Sequence, residues 1–142
     1  MLPNEYLLGP VSDGDHGNWV LSLYTKDFND EWIELFQVIT IKIAEVTTIS
    51  PRHTTLKEGS TFHIKFLSPI SGLESCQLIA PPSTYDRFYA RDVNVDSNRC
   101  GYLLPNVTKE DEGIWTIEAV GNIVYKGTST LYVREKKPRK RL

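Results

Sequence analysis

The chain has 142 residues, 40% hydrophobic and 24% charged, a balance that fits one ordinary globular domain with a real core. Its formal charge of −2 argues against a polyanion binder, and no apolar run approaches the ~18 residues that a membrane-spanning helix needs. The average hides a basic tail: residues 134–142 sum to +5 and leave −7 for the rest.

The N-terminus, Met-Leu-Pro-Asn-Glu-Tyr-Leu-Leu-Gly-Pro, has neither the basic nor the long apolar stretch of a signal peptide. The expectation is a cytosolic protein or a piece of a longer one. Next comes Asp15-His16-Gly17-Asn18-Trp19-Val20-Leu21, and residues 19–23 and 33–43 read as two strands. Trp32, Ile33, Leu35, Phe36, Val38, Ile39, Ile41 and Ile43 place apolar groups on both faces of this pair. A lone hairpin is marginal in water, so it needs a partner: the rest of its own domain, the sheet of the intact domain, or another copy of the chain.

Beyond Glu58-Gly59, Phe62, Ile64 and Phe66 alternate with His63 and Lys65, the period of a half-buried strand. Residues 75–80 form a second such segment, stopped by Pro81-Pro82. Residues 85–95 read as mixed and extended, and residues 102–107 lead into Lys109-Glu110-Asp111-Glu112-Gly113. Trp115, Ile117 and Ala119 alternate, Gly121-Asn122 reads as a hairpin turn, and residues 124–133 return. About seven short strands without a helical stripe predict an all-β, antiparallel sandwich. Asp15, Gly17, Trp19 and Leu21 recur as Asp111, Gly113, Trp115 and Ile117, each 96 residues on, which is about one sandwich domain.

Two stretches resemble the immunoglobulin superfamily. Glu58-Gly59-x-x-Phe62-x-Ile64-x-Phe66 is similar to its strand B. Tyr102-x-Leu104-x-x-Val107-x-x-x-Asp111-x-Gly113-x-Trp115-x-Ile117 is similar to strand E, the E–F corner and strand F. The resemblance implies a complete immunoglobulin-like domain over residues 46–134. It also implies that residues 1–45 are part of a preceding one, its strands F and G, and it leaves residues 135–142 as a basic tail. The usual inter-sheet cysteines would fall at Phe66 and Ile117, the corner aromatic is Trp, and Leu78 or Ile79 would fill the place of the strand-C Trp.

Cys76 falls in the implied strand C and Cys100 just before strand E. They either form the one disulfide this chain allows, worth about 3–4 kcal/mol, or remain two buried thiols. Asn106-Val107-Thr108 is an N-glycosylation acceptor in the implied E–F turn, which together with the cysteine pair points to an extracellular or cell-surface parent.

Catalysis is not expected, nor any cofactor. His16, His53 and His63 read as a corner, a loop and a strand's polar face, and no Ser-His-Asp set, phosphate loop or zinc spacing is present. Asp92-x-Asn94-x-Asp96 lacks the glycine and closing glutamate of a calcium loop and reads as the wet face of a strand. Tyr85-Asp86-Arg87-Phe88-Tyr89-Ala90-Arg91 is the candidate protein-binding patch, through Tyr85, Arg87, Tyr89 and Arg91; the plainer alternative is that Phe88 and one Tyr pack inside. The tail Lys136-Lys137-Pro138-Arg139-Lys140-Arg141 has no interleaved aromatics, so nucleic acid is not expected as a partner. A nuclear signal or a stretch beside a membrane are its other readings, and a solvated tail is the simplest. The resemblance implies a protein partner, homophilic or not, for a secreted or membrane-anchored parent; the alternative is an intracellular scaffold module with reduced cysteines.

Overall fold

The structure, a computed structural model, describes residues 5–82 and 86–136. The chain divides into two units, residues 1–43 and 44–142.

In the first unit β1 (Gly17–Lys26) and β2 (Trp32–Ile41) pair antiparallel from Gly17↔Ile41 to Lys26↔Trp32. Their connection is held by Asp27, whose carboxylate accepts the backbone N–H of Asn29 at 2.9 Å and of Glu31 at 3.0 Å. Alternation in this register puts Trp19, Leu21 and Leu23 on one face with Ile33, Leu35, Gln37, Ile39 and Ile41. The opposite face mixes Val20, Tyr24, Trp32, Phe36 and Val38 with Asn18, Ser22, Lys26, Glu34 and Thr40.

The second unit is an immunoglobulin-like β-sandwich. One sheet runs in the order β4 (Ile49–Ser50), β6 (Phe62–Phe66), β9 (Tyr102–Leu104), β8 (Ala90–Arg91), the A-B-E-D arrangement. The other places β7 (Ser75–Ile79), β10 (Gly113–Val120) and β11 (Val124–Arg134) as C, F and G. Pairing is antiparallel except where β3 (Ala44–Val46) and β5 (His53–Lys57) run parallel to β11. Inward residues of both sheets close one core that includes Phe62, Ile64, Phe66, Leu78, Leu104, Trp115, Ile117, Leu131 and Val133. Phe66 and Ile117, at the usual cysteine positions, are both fully buried there. Leu78 is buried and Ile79 faces out, so of the two it is Leu78 that fills the strand-C position.

Three sequence expectations change. Residues 44–57, without a clear period in the sequence, carry three strand pieces, and His53 starts a strand instead of lying in a loop. Of the expected extended stretch 85–95, the described residues 86–95 contain strand only at Ala90–Arg91. Asp92 is buried, not wet: it closes a turn by accepting the Asn94 N–H at 3.0 Å, and it leaves Val93 in solvent.

The crossing of 44–57 between the sheets has room because of one missing side chain. The chain leaves β11 after β3, pairs with β6 as β4, then returns to β11 as β5. A Cβ on Gly127 in β11 would stand 2.4 Å from Ile49 Cγ1 and 2.5 Å from the Thr47 carbonyl oxygen. Bare backbone at Gly127 therefore lets Ile49 reach the core between the sheets. The Gly127→Ala variant should lose about 1–3 kcal/mol in urea unfolding, because neither the Thr47 backbone nor the buried Ile49 can yield cheaply. Unchanged stability would show that the crossing has slack.

Candidate recognition surface

The corner before β10 starts with a local turn. The Asp111 carboxylate accepts the Thr108 N–H at 2.8 Å, closing a one-turn 3-10 helix, Lys109–Asp111. Gly113 follows at φ 137°, a conformation that favours glycine. That turn aims Trp115 back over the corner, where its indole N–H donates to the Asp111 carbonyl at 2.9 Å. Indole thus serves where the tyrosine corner of immunoglobulin domains uses a phenol hydroxyl. Trp115 is 1% exposed and meets Phe62 edge to face at 6.3 Å.

The same geometry recurs in the hairpin unit. Asp15 accepts the Ser12 N–H at 2.9 Å, Gly17 sits at φ 128°, and the Trp19 indole donates to the Asp15 carbonyl at 2.8 Å. The difference is burial: Trp19 is 40% exposed.

Asp111 also fixes the candidate patch. Arg87 Nε donates to its two carboxylate oxygens at 3.1 and 3.2 Å, and the side chains are 11% and 2% exposed. The Arg87 guanidinium is thereby engaged inside the fold. Tyr85 lies outside the described residues. Phe88, 70% exposed, stands in solvent instead of packing inside. Tyr89 donates its hydroxyl to the Leu78 carbonyl at 3.3 Å and meets the Tyr102 ring edge to face at 6.1 Å. Arg91 lies over the same ring at 5.3 Å and donates to the Ser97 carbonyl at 2.9 Å. Burial pushes the Tyr102 phenol up, with Arg91 pulling the other way. The structure so brings Phe88, Tyr89 and Arg91 together on the edge beside β8, two of them held by other side chains and Phe88 free.

Cys76 in β7 and Cys100 just before β9 form a disulfide with Cα atoms 5.9 Å apart. Asn106 is exposed at φ 51°, between buried Leu104 and Val107. Of the basic tail only Glu135 and Lys136 are described, and residues 137–142 lie outside the described residues.

One pair carried no signal in the sequence. His63 Nδ1 is 3.1 Å from Asp92 Oδ2, though the two are 29 positions apart. Together with Ser50, Pro51, Lys65 and Val95 they line a shallow cavity of about 290 Å³. The bond to His63 first, then the Asn94 N–H, hold the Asp92 carboxyl below its ordinary value.

No family model and no curated protein matches the sequence. Among solved structures, the chain is similar to one in the titin M10–obscurin-like 1 Ig complex, at 15% identity over 62% of this chain and 91% of that one, TM-score 0.45. It is also similar to a chain in a structure concerning T cell specificity and activation by the superantigen toxic shock syndrome toxin-1, at 14% identity over 62% and 98%, TM-score 0.45.

The Asp92 shift has a pH consequence. Folding favours its carboxylate, so this contribution is complete above the unfolded carboxyl's pKa of about 4 and fades as pH falls through the lower folded value. In a carbon-13 carboxyl titration the midpoint of Asp92 should lie below that of a free carboxyl and rise in His63→Ala. A midpoint that ignores the variant would rule His63 out as the main cause.

Proposed function

We propose that this chain is a non-catalytic protein-recognition module of the immunoglobulin superfamily, from a secreted or cell-surface parent. Residues 46–134 are its complete domain, and residues 1–45 are the F–G hairpin of a preceding one. The observation that carries recognition is the Phe88, Tyr89 and Arg91 cluster on the β8 edge. Aromatic and guanidinium groups dominate interface hot spots, and two of these three are already immobilised, so binding costs little further ordering. Affinity comes from a few such anchors, without a cofactor. The matching corners of Trp19 and Trp115 support the tandem reading. The Cys76–Cys100 bond and the exposed Asn106 support an oxidising compartment and a glycan.

A second reading, an intracellular scaffold module, draws on the fully buried Phe66 and Ile117. A core that closes without the usual bridge can persist where thiols stay reduced. Non-reducing mass spectrometry on protein from its native source separates the two. The first reading expects the Cys76–Cys100 crosslink with a glycan on Asn106, and the second expects neither.

The recognition surface is tested against a captured partner. Phe88→Ser should weaken binding about tenfold or more with little change in unfolding midpoint, and Arg91→Ala should weaken it as much while losing about 1 kcal/mol of stability with its Tyr102 and Ser97 contacts. Arg87→Leu should instead lower stability by about 3 kcal/mol or more, because it strands the buried Asp111 carboxylate. Undiminished binding in both surface variants would move the site elsewhere.

A further inference from the structure

The cavity around His63 has the make-up of a ligand site. Ser50 of β4 and Lys65 of β6 stand opposite each other in the ladder, and His63 lies two residues from Lys65 on the same face of the strand. Asp92 reaches that face from the turn after β8. Val95 closes one side: a Cβ on Gly101 would stand 2.7 Å from Val95 Cβ, so bare backbone there lets Val95 settle against the sheet. With Pro51 it makes the apolar part of the lining. Among the described residues, the Ser50 hydroxyl, the Lys65 ammonium and His63 Nε2 have no hydrogen-bond partner, so three polar groups converge unused.

We propose that this cavity is a proton-linked site for one carboxylate group, held by Lys65, Ser50 and the protonated imidazole of His63. The two nitrogens of that imidazole differ. The Asp92 side chain is 7% exposed, accepts the Asn94 N–H at 3.0 Å and faces Nδ1 at 3.1 Å. Its carboxyl is held below the ordinary value, so near neutral pH it is an ionised acceptor and Nδ1 carries a proton. Proton exchange at His63 therefore falls on Nε2, in a side chain 61% exposed. Neutral, Nε2 is an acceptor and turns a carboxylate away; protonated, it donates to one. Asp92 is already matched by His63 and the Asn94 N–H, which leaves the Lys65 charge for a ligand. Among the lining residues Lys65 and Asp92 are the charged groups facing His63, and Leu103 opposite it on β9 is apolar. Size points the same way. Small-molecule pockets begin near about 300 Å³, so this one takes a carboxyl group and a short stem, the stem against Pro51 and Val95. Such a group comes from an acidic side chain of a protein partner or from a free small acid. None of Phe88, Tyr89 and Arg91 lines the cavity, so this site and the β8 edge can fail separately.

Nitrogen-15 amide spectra of the full chain test it, through residues 63–65 and 92–95 at constant ionic strength. The probes are sodium propionate and a glutamate-containing tripeptide capped at both ends. At pH 5.5 a dissociation constant on the order of 1 mM is expected, weakening about tenfold or more by pH 8. Lys65→Met should weaken binding about tenfold, while Lys57→Met on the other sheet, the same loss of charge, should leave it within about twofold. His63→Gln should bind weakly at both pH values and so lose the pH dependence. Near-ultraviolet circular dichroism from the buried Trp115 reports that the sandwich stays folded in every variant. Tighter binding of the peptide than of propionate assigns the carboxylate to a partner's side chain; equal or weaker binding assigns it to a free acid; both uphold the site. Four outcomes overturn it: no saturable shift with either probe at about 50 mM, equal affinity at the two pH values, indifference to Lys65→Met, or inorganic phosphate binding more tightly than propionate.

Discussion

Asp111 is the constraint on which the sandwich depends. Its carboxylate closes the turn at Thr108 and holds Arg87, while its carbonyl receives the Trp115 indole. A carboxylate this deeply buried persists only when paired and hydrogen-bonded. Both conditions are met by segments far apart in the chain, since Arg87 lies 24 positions away. The same contacts that solvate the charge therefore fix the approach of the β8 edge and the entry of β10 into the core. The exposed cluster at Phe88, Tyr89 and Arg91 inherits its position from that ion pair, because Arg87 also donates to the Phe88 carbonyl at 3.2 Å.

The two corners separate what a short segment can encode from what it cannot. Ser12 to Trp19 and Thr108 to Trp115 reproduce the same capped turn, the same glycine conformation and the same indole bond. These features reach over at most four residues within each corner, so local sequence suffices to build them. Burial does not repeat, because covering an indole needs a second sheet. Phe62 supplies it to Trp115.

The joining of the two sheets shows a comparable division of labour. At the positions where antibody domains carry their inter-sheet bridge, Phe66 and Ile117 are buried without any covalent link. Elsewhere the Cys76–Cys100 disulfide ties β7 to the segment just before β9. At the first strand it is an absence that matters: Gly127 leaves room for Ile49 to insert while the chain passes from one sheet to the other and back.

The amino-acid sequence by itself determined the strand periods of β6, β7, β10 and β11, the repeated corner and the all-β class. Each rests on alternation or on turn chemistry spanning a few residues. Only the tertiary structure decided the strand pieces in 44–57, which have no period of their own and exist through pairing with β6 and β11. It also decided that Arg87 turns inward while Phe88 turns out, and that Asp92 meets His63. A charge or an aromatic ring has no preferred side until a distant partner or a covering sheet supplies one, and neither can be read from the neighbouring residues.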